Sequence, residues 1–155
     1  MLAMVWAMGK AEALVLDRYL KSERGVRRYL GDSYWAPNYD ELLSPKEWTR
    51  DFSQDIETRD KLLDRIGHEA EWCIFDPILS VCYGSRYRQT GCRSDLELQI
   101  DHFKRALSQI NDTWQCPELY YLKHGAYVPN PNSPLLWTQA TLMMALAAMR
   151  DTTGS

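Results

Sequence analysis

Three short stretches of this sequence combine residue types that could do chemistry. Cys116-Pro117-Glu118-Leu119-Tyr120-Tyr121 sets one carboxylate between a proline and two tyrosines. A loop glutamate of this kind can accept a proton from water, or it can be an ordinary solvated side chain. Arg27-Arg28-Tyr29-Leu30-Gly31-Asp32-Ser33-Tyr34-Trp35 supplies a guanidinium fork, a carboxylate and aromatic faces. Forks and carboxylates each engage two vicinal hydroxyls of a sugar, while aromatic faces stack on its C–H surface; a loop Arg–Asp salt bridge would use the same residues. Glu69-Ala70-Glu71-Trp72 places two carboxylates ahead of an apolar run. There they would suit the first turn of a helix, whose dipole favours acids.

Other reactive residue types form no recognisable constellation. His68, His102 and His124 share no metal-ligand spacing, and His102 falls on the charged face of a helical pattern. The cysteines Cys73, Cys82, Cys92 and Cys116 make no Cys-x-x-Cys pair and have no histidine at zinc spacing. Cys73 and Cys82 lie in an apolar run and read as buried free thiols. No Ser–His–Asp or Cys–His arrangement and no nucleotide-binding glycine motif is present, so neither a metal nor a cofactor is expected.

The elements that must position these residues read as helices joined by long aromatic loops. A first helix is expected from Ala3 to Lys21, and a loop from Arg27 to Tyr39. Ser44-Pro45-Lys46-Glu47 is a capping box that would start a short helix, and another should cover Ile56 to Ile66. From Glu69 to Tyr87 the pattern is apolar nearly all round, so that helix would be buried, with Pro77 causing a kink or a late start. Ser94-Asp95-Leu96-Glu97 is a second capping box. It opens an amphipathic helix that presents Leu96, Ile100, Phe103, Leu107 and Ile110 to the core. Ser133 would cap a last helix, with Pro134 in its first turn, running to Met149. The only strand hint is Gly125-Ala126-Tyr127-Val128, which could pair briefly.

A chain of 155 residues, 45% apolar and 25% charged, can build one domain with a real core. Its net charge of -3 and pI near 5.6 give no electrostatic case for nucleic acid or an anionic membrane. The apolar segment Met1 to Met8 lacks a basic n-region and is too short to span a bilayer, so a cytoplasmic location is expected. Six tryptophans and nine tyrosines are a heavy aromatic load, and several sit beside turn residues as in a sugar-binding cleft.

Taken in order, the Arg28–Asp32 motif, the Glu-x-Glu-Trp segment, Cys-Pro-Glu-x-Tyr-Tyr and Ser-Pro-Leu-Leu-Trp-Thr-Gln-Ala resemble glycoside hydrolase family 15. That family includes glucoamylases and the catalytic-like domains of the phosphorylase kinase α and β subunits; the phosphorylase-kinase-like bacterial branch is the nearer likeness. The resemblance implies an all-α fold, a partial (α/α)6 toroid of which this chain is the carboxy-terminal third to half. Residues 1–150 would belong to it and 151–155 would be a tail. It further implies that Arg28 and Asp32 hold terminal glucose hydroxyls, with Tyr34 and Trp72 lining the subsite. Glu118 would be the general base, and Trp137 the tryptophan of the last inner helix.

Inverting hydrolysis needs an acid as well as a base, with the two carboxyl groups roughly 6.5–9.5 Å apart. The family's acid lies in an earlier helical segment that has no match here, and Glu69 and Glu71 align on the wrong side of the subsite. The function expected from the resemblance is therefore an inverting, glucoamylase-type α-glucan hydrolase lacking its general acid. The alternatives are a non-catalytic glucan-binding or regulatory module and an inactive truncated frame. The implied partners are an α-glucan or oligosaccharide, and a missing amino-terminal half or another chain that would cover the apolar faces of an incomplete toroid.

Overall fold

The computed structural model describes residue 13, residues 15–50, residue 52 and residues 54–154. The expected helix from Ala3 lies largely outside the described residues. Among the described residues there are six helices: α1 (Leu16–Leu20, π-helical), α2 (Tyr39–Leu42), α3 (Ile56–Leu62), α4 (Phe75–Thr90), α5 (Arg93–Ser108) and α6 (Leu136–Thr153). Three strands accompany them: β1 (Glu71–Trp72), β2 (Leu119–Lys123) and β3 (Ala126–Pro129). They form one antiparallel sheet in the order β1-β2-β3.

That sheet overturns the expectation of an all-α fold and of a pure (α/α)6 toroid. The fold is mostly helical with a small open sheet. Strand β2 was hidden because Leu119, Tyr120 and Tyr121 are all buried, leaving no period-two alternation to read. Its partner does follow the hint at Gly125 to Val128. Lys123 pairs with Ala126 across a two-residue turn in which His124 and Gly125 both have positive φ, the geometry that matches strand twist. Strand β1 replaces the expected start of the buried helix. Trp72 exchanges both backbone bonds with Val26 (2.9 and 3.1 Å), while Glu71 and Trp72 pair with Tyr120 and Leu119.

Helix α4 consequently begins late, at Phe75, with Pro77 in its first turn where a missing N–H costs nothing. It ends at Gly91, whose φ of 68° suits the left-handed cap. Helix α5 then packs on α4 by a face turned about 100°, one residue, from the one its apolar spacing indicates. Its buried positions are Asp95, Gln99, His102 and Ala106, while Leu107 is exposed. The reason is that α4 offers polar partners: Asp76 meets His102 Nδ1 at 2.7 Å and Arg105 Nε at 2.9 Å, and Arg86 meets Asp95 at 2.8 Å. His102 is thus fully buried, stacked on Tyr83 at 5.6 Å, rather than on a charged outer face.

Helix α6 packs on α4 through Thr138, Thr141, Ala145 and Ala148, small enough for close approach. Its opening differs from the expected cap. The Ser133–Pro134 peptide is cis, Ser133 Oγ bonds back to Asn130 O at 3.2 Å, and the helix starts only after Leu135. The capping boxes are also used differently. Glu47 does reach back to Ser44 Oγ (2.7 Å), but the segment makes successive turns and no helix. Ser94 is the second residue of α5 rather than its cap, and its hydroxyl meets the Cys92 thiol.

Two cores result. One gathers Trp35, Tyr39, Phe52, Leu62, Leu119 and Tyr121, with Trp35 at its centre, 4.9 Å from Tyr121 and 5.3 Å from Trp48. Much of the aromatic load therefore fills the interior rather than lining a cleft. The other joins Ala13 and Val26 to Leu79 and Tyr83 on α4. Among the described residues all four cysteines are free, with Cys73, Cys82 and Cys116 buried. No helix among them is long and apolar enough to cross a membrane.

Candidate functional site

The loop from Arg24 to Tyr34 carries the candidate site, and buried carboxylates hold it in place. Glu71 accepts from Arg24 N–H and from Ser22 Oγ, both at 2.6 Å. Glu69 accepts from the Gly31 and Gly67 N–H groups at 2.8 Å each, with Arg27 Nε at 3.2 Å. Arg105, anchored on Asp76, donates to the carbonyls of Ser22 and Gly25 at 2.8 and 3.0 Å. Gly25 is required because a Cβ there would lie 2.7 Å from the Trp72 carbonyl oxygen. Glu69 and Glu71 are therefore fully buried clamps on a loop and a strand, not first-turn acids of a helix.

On this clamped loop Arg28 forks onto Asp32, with Nε to Oδ2 at 2.7 Å and Nη2 to Oδ1 at 2.8 Å. Asp32 is buried, and it also accepts from Tyr34 N–H at 3.1 Å. Burial disfavours the guanidinium charge, but the bonds and charge of Asp32 outweigh it and raise the Arg28 pKa. The guanidinium carbon sits 4.5 Å from the Trp72 ring and 5.0 Å from the Tyr34 ring, and those two rings stack at 5.7 Å. Arg28, Asp32 and Tyr34 line a cleft of about 330 Å³ with Tyr39, Thr49 and Arg50.

Glu118 is delivered by the two halves of the aromatic loop. Backbone bonds from Glu118 N to Asn132 O (3.2 Å), Asn130 N to Leu119 O (3.1 Å) and Leu135 N to Cys116 O (2.8 Å) zip the segments together. The Asn130 and Asn132 amides then both donate to Glu118 Oε2, at 2.7 and 2.8 Å. Oε1 accepts nothing from the described residues, so one oxygen is oriented and the other open to solvent or ligand. Burial raises the Tyr34 pKa, and the Glu118 carboxylate raises it further, which puts Glu118 in electrostatic reach of Tyr34.

The structure thus joins Arg28, Asp32, Tyr34 and Trp72 in one constellation, and the Glu118 backbone adjoins it through the bond from Cys73 N–H to Glu118 O at 3.0 Å. Trp137 stands apart. It lies in the first turn of α6, half exposed, and makes no ring contact with the others. Tyr120 and Tyr121 are structural: Tyr120 Oη donates to Gln109 O, and Tyr121 packs edge-on against Trp35.

Tyr39 is the cleft residue that sequence reasoning missed. Its side chain is fully buried and its hydroxyl has no partner among the described residues, yet it lines the cleft. Burial pushes that hydroxyl up to about 12, so it remains a donor at neutral pH. No periodicity flags it, because the chain reaches Tyr39 through two residues with positive φ, Trp35 and Asn38. Among the described residues no group of three or more His, Cys, Asp or Glu side chains could hold a metal ion.

No family model, curated protein or solved structure matches the chain. The comparisons therefore lend no support to a glycoside hydrolase family 15 identity, and the sheet removes its barrel.

Proposed function

We propose that this chain binds an α-glucan through the Arg28–Asp32–Tyr34 cleft, with Glu118 placed as the general base of an inverting hydrolase site that lacks its acid. The observation that carries the reading is the Arg28–Asp32 fork and the Tyr34 ring lining the cleft, with Trp72 stacked on Tyr34 behind them. A fork and a carboxylate match vicinal hydroxyls, and flat rings match the C–H face of a pyranose. The unpartnered Tyr39 hydroxyl supports it, since a buried donor without a partner favours a ligand that supplies an acceptor. The pair of asparagine amides on one oxygen of Glu118 would aim the other at a water.

One observation favours a second reading, a non-catalytic glucan-binding or regulatory module. Glu69 and Glu71, the nearest paired carboxylates in sequence, are both occupied by internal bonds and cannot donate a proton to a leaving group. A partner also follows from the proposal. Leu136, Trp137, Met143 and Leu146 on α6 are exposed, and another chain would cover them.

Calorimetric titration with a glucoamylase inhibitor tests the binding. Affinity should fall at least about tenfold in Asp32→Ala or Arg28→Ala, with circular dichroism confirming that each variant folds. Glucose release from maltooligosaccharides should be absent. Turnover that disappears in Glu118→Gln would overturn the missing acid, and no binding would overturn the saccharide reading itself.

A further inference from the structure

We propose that the cleft lined by Arg28, Tyr39 and Arg50 seats an oxyanion, so that the sugar it takes carries a carboxylate or a phosphate ester. This rests on the saccharide reading above and deepens it to the charge of the ligand.

The groups left over in the cleft are donors. Its lining holds two arginines and one carboxylate, Asp32, so a positive charge remains once Arg28 and Asp32 are paired. Both oxygens of Asp32 are already used: Oδ2 accepts from Arg28 Nε, and Oδ1 from Arg28 Nη2 and the Tyr34 N–H. What remains includes the Arg50 guanidinium, which can only donate, and the Thr49 and Tyr39 hydroxyls, which can each turn a proton to a ligand. A carboxylate or phosphate brings the acceptors this wall lacks.

Arg50 supplies the charge. Among the described residues it makes no ion pair, and the two acids in its electrostatic reach are turned elsewhere. Glu47 Oε2 accepts from Ser44 N–H and Oγ at 3.1 and 2.7 Å, and Asp55 caps α3 through Thr58. The guanidinium carbon lies 5.1 Å from the centre of the Phe52 ring, which covers one face and leaves the N–H edge open to fork onto two oxygens.

Tyr39 is the independent observation. It is fully buried, its hydroxyl stays protonated at neutral pH, and that hydroxyl has no partner among the described residues. A buried donor left unpaired is costly, and an oxyanion in the cleft would satisfy it. A cationic ligand would meet two arginines instead, and an apolar one would leave Tyr39 and Arg50 as they are.

Calorimetric titration of the intact chain with glucose, glucuronate, glucose 6-phosphate and inorganic phosphate tests the seat. At least one anionic sugar should bind about tenfold more tightly than glucose, and the advantage should shrink as salt rises from about 0.05 to about 0.5 M. The tighter of the two identifies the carboxylate or the phosphate. Arg50→Gln should remove most of the advantage, and Tyr39→Phe should lower it about threefold. Both variants should fold, since Arg50 is exposed and the Tyr39 hydroxyl bonds to nothing described, and circular dichroism checks this. Equal affinity for glucose and both anionic sugars, or an advantage that Arg50→Gln leaves intact, would overturn the oxyanion seat and leave the saccharide reading standing. Phosphate binding as tightly as glucose 6-phosphate, without binding of glucose, would support the seat and overturn the saccharide reading. Failure of every probe to bind would overturn both.

Discussion

Replacing Glu69 by glutamine removes the charge of one fully buried carboxylate and changes its volume hardly at all. In the native chain its two oxygens accept from Gly31 N–H and Gly67 N–H, and Arg27 Nε pairs with it as a counterion at 3.2 Å. A glutamine offers one acceptor oxygen, so its amide group must face one of these donors, leaving that N–H unsatisfied. A buried donor without a partner costs about 1–3 kcal/mol, and hydrogen bonds to a charged acceptor are worth about 1.5–3. Arg27, 16% exposed, also loses its nearer counterion; only Glu71 remains, at 3.8 Å. Breaking a buried pair in this way costs about 3–5 kcal/mol as a whole, and the separate terms are not additive. With a denaturant slope near 2 kcal/mol/M, the urea midpoint followed by tryptophan fluorescence should fall by about 2 M. Glu57→Gln is the control, since Glu57 meets only the exposed Lys61. If Glu69→Gln shifts the midpoint no further than Glu57→Gln, Glu69 is not a clamp, and the account of how Arg28 is positioned fails with it. Where the variant folds, saccharide affinity should also drop, because Gly31 lies next to Asp32 in the loop.

Two further perturbations probe the frame around the site. A Cβ at Gly84 would lie 2.3 Å from Gln99 Nε2, so Gly84→Ala should cost about 1–3 kcal/mol, and Gln99→Ala should relieve much of it in the double variant. Strict additivity in that cycle would contradict the close packing of α4 on α5. Gly25→Ala meets backbone instead, and its loss of stability should exceed that of Gly84→Ala in the same urea assay. Burial opposes ionisation of Asp76, but the bonds from His102 and Arg105 and the Arg105 charge outweigh it and hold its pKa below the ordinary 3.8. Its contribution to stability is therefore complete above that ordinary value and disappears as the pH falls through the lower folded value. Urea midpoints measured across this acid range should decline, and Asp76→Asn should flatten the decline; an unchanged slope would place the effect on other carboxylates.

Much of the local structure is legible in the order of residues alone. Helix α3, the long helix ending at Gly91 and the two helices that follow were legible from apolar spacing, glycine caps and proline punctuation, all of which act within one or two turns. The sequence also named Arg28, Asp32, Tyr34, Trp72 and Glu118 as residues worth placing together, because a fork, a carboxylate and aromatic faces are recognisable by type alone. The tertiary structure decided what depends on distant partners. Strand β1 forms because Val26 and β2 flank it, and no local pattern in Glu71-Trp72 announces that. Helix α5 buries His102 and Gln99 fully and leaves Leu96 and Leu98 half-buried, because Asp76 lies 26 residues from His102 in sequence but 2.7 Å away in space. Trp137, expected at the site, falls in the first turn of α6, half exposed and without a ring contact to Tyr34 or Trp72. Tyr39 enters the cleft only because two left-handed residues turn the chain inward. Spacing encodes what a segment can present, and the partners that make burial favourable are chosen only when the chain closes on itself.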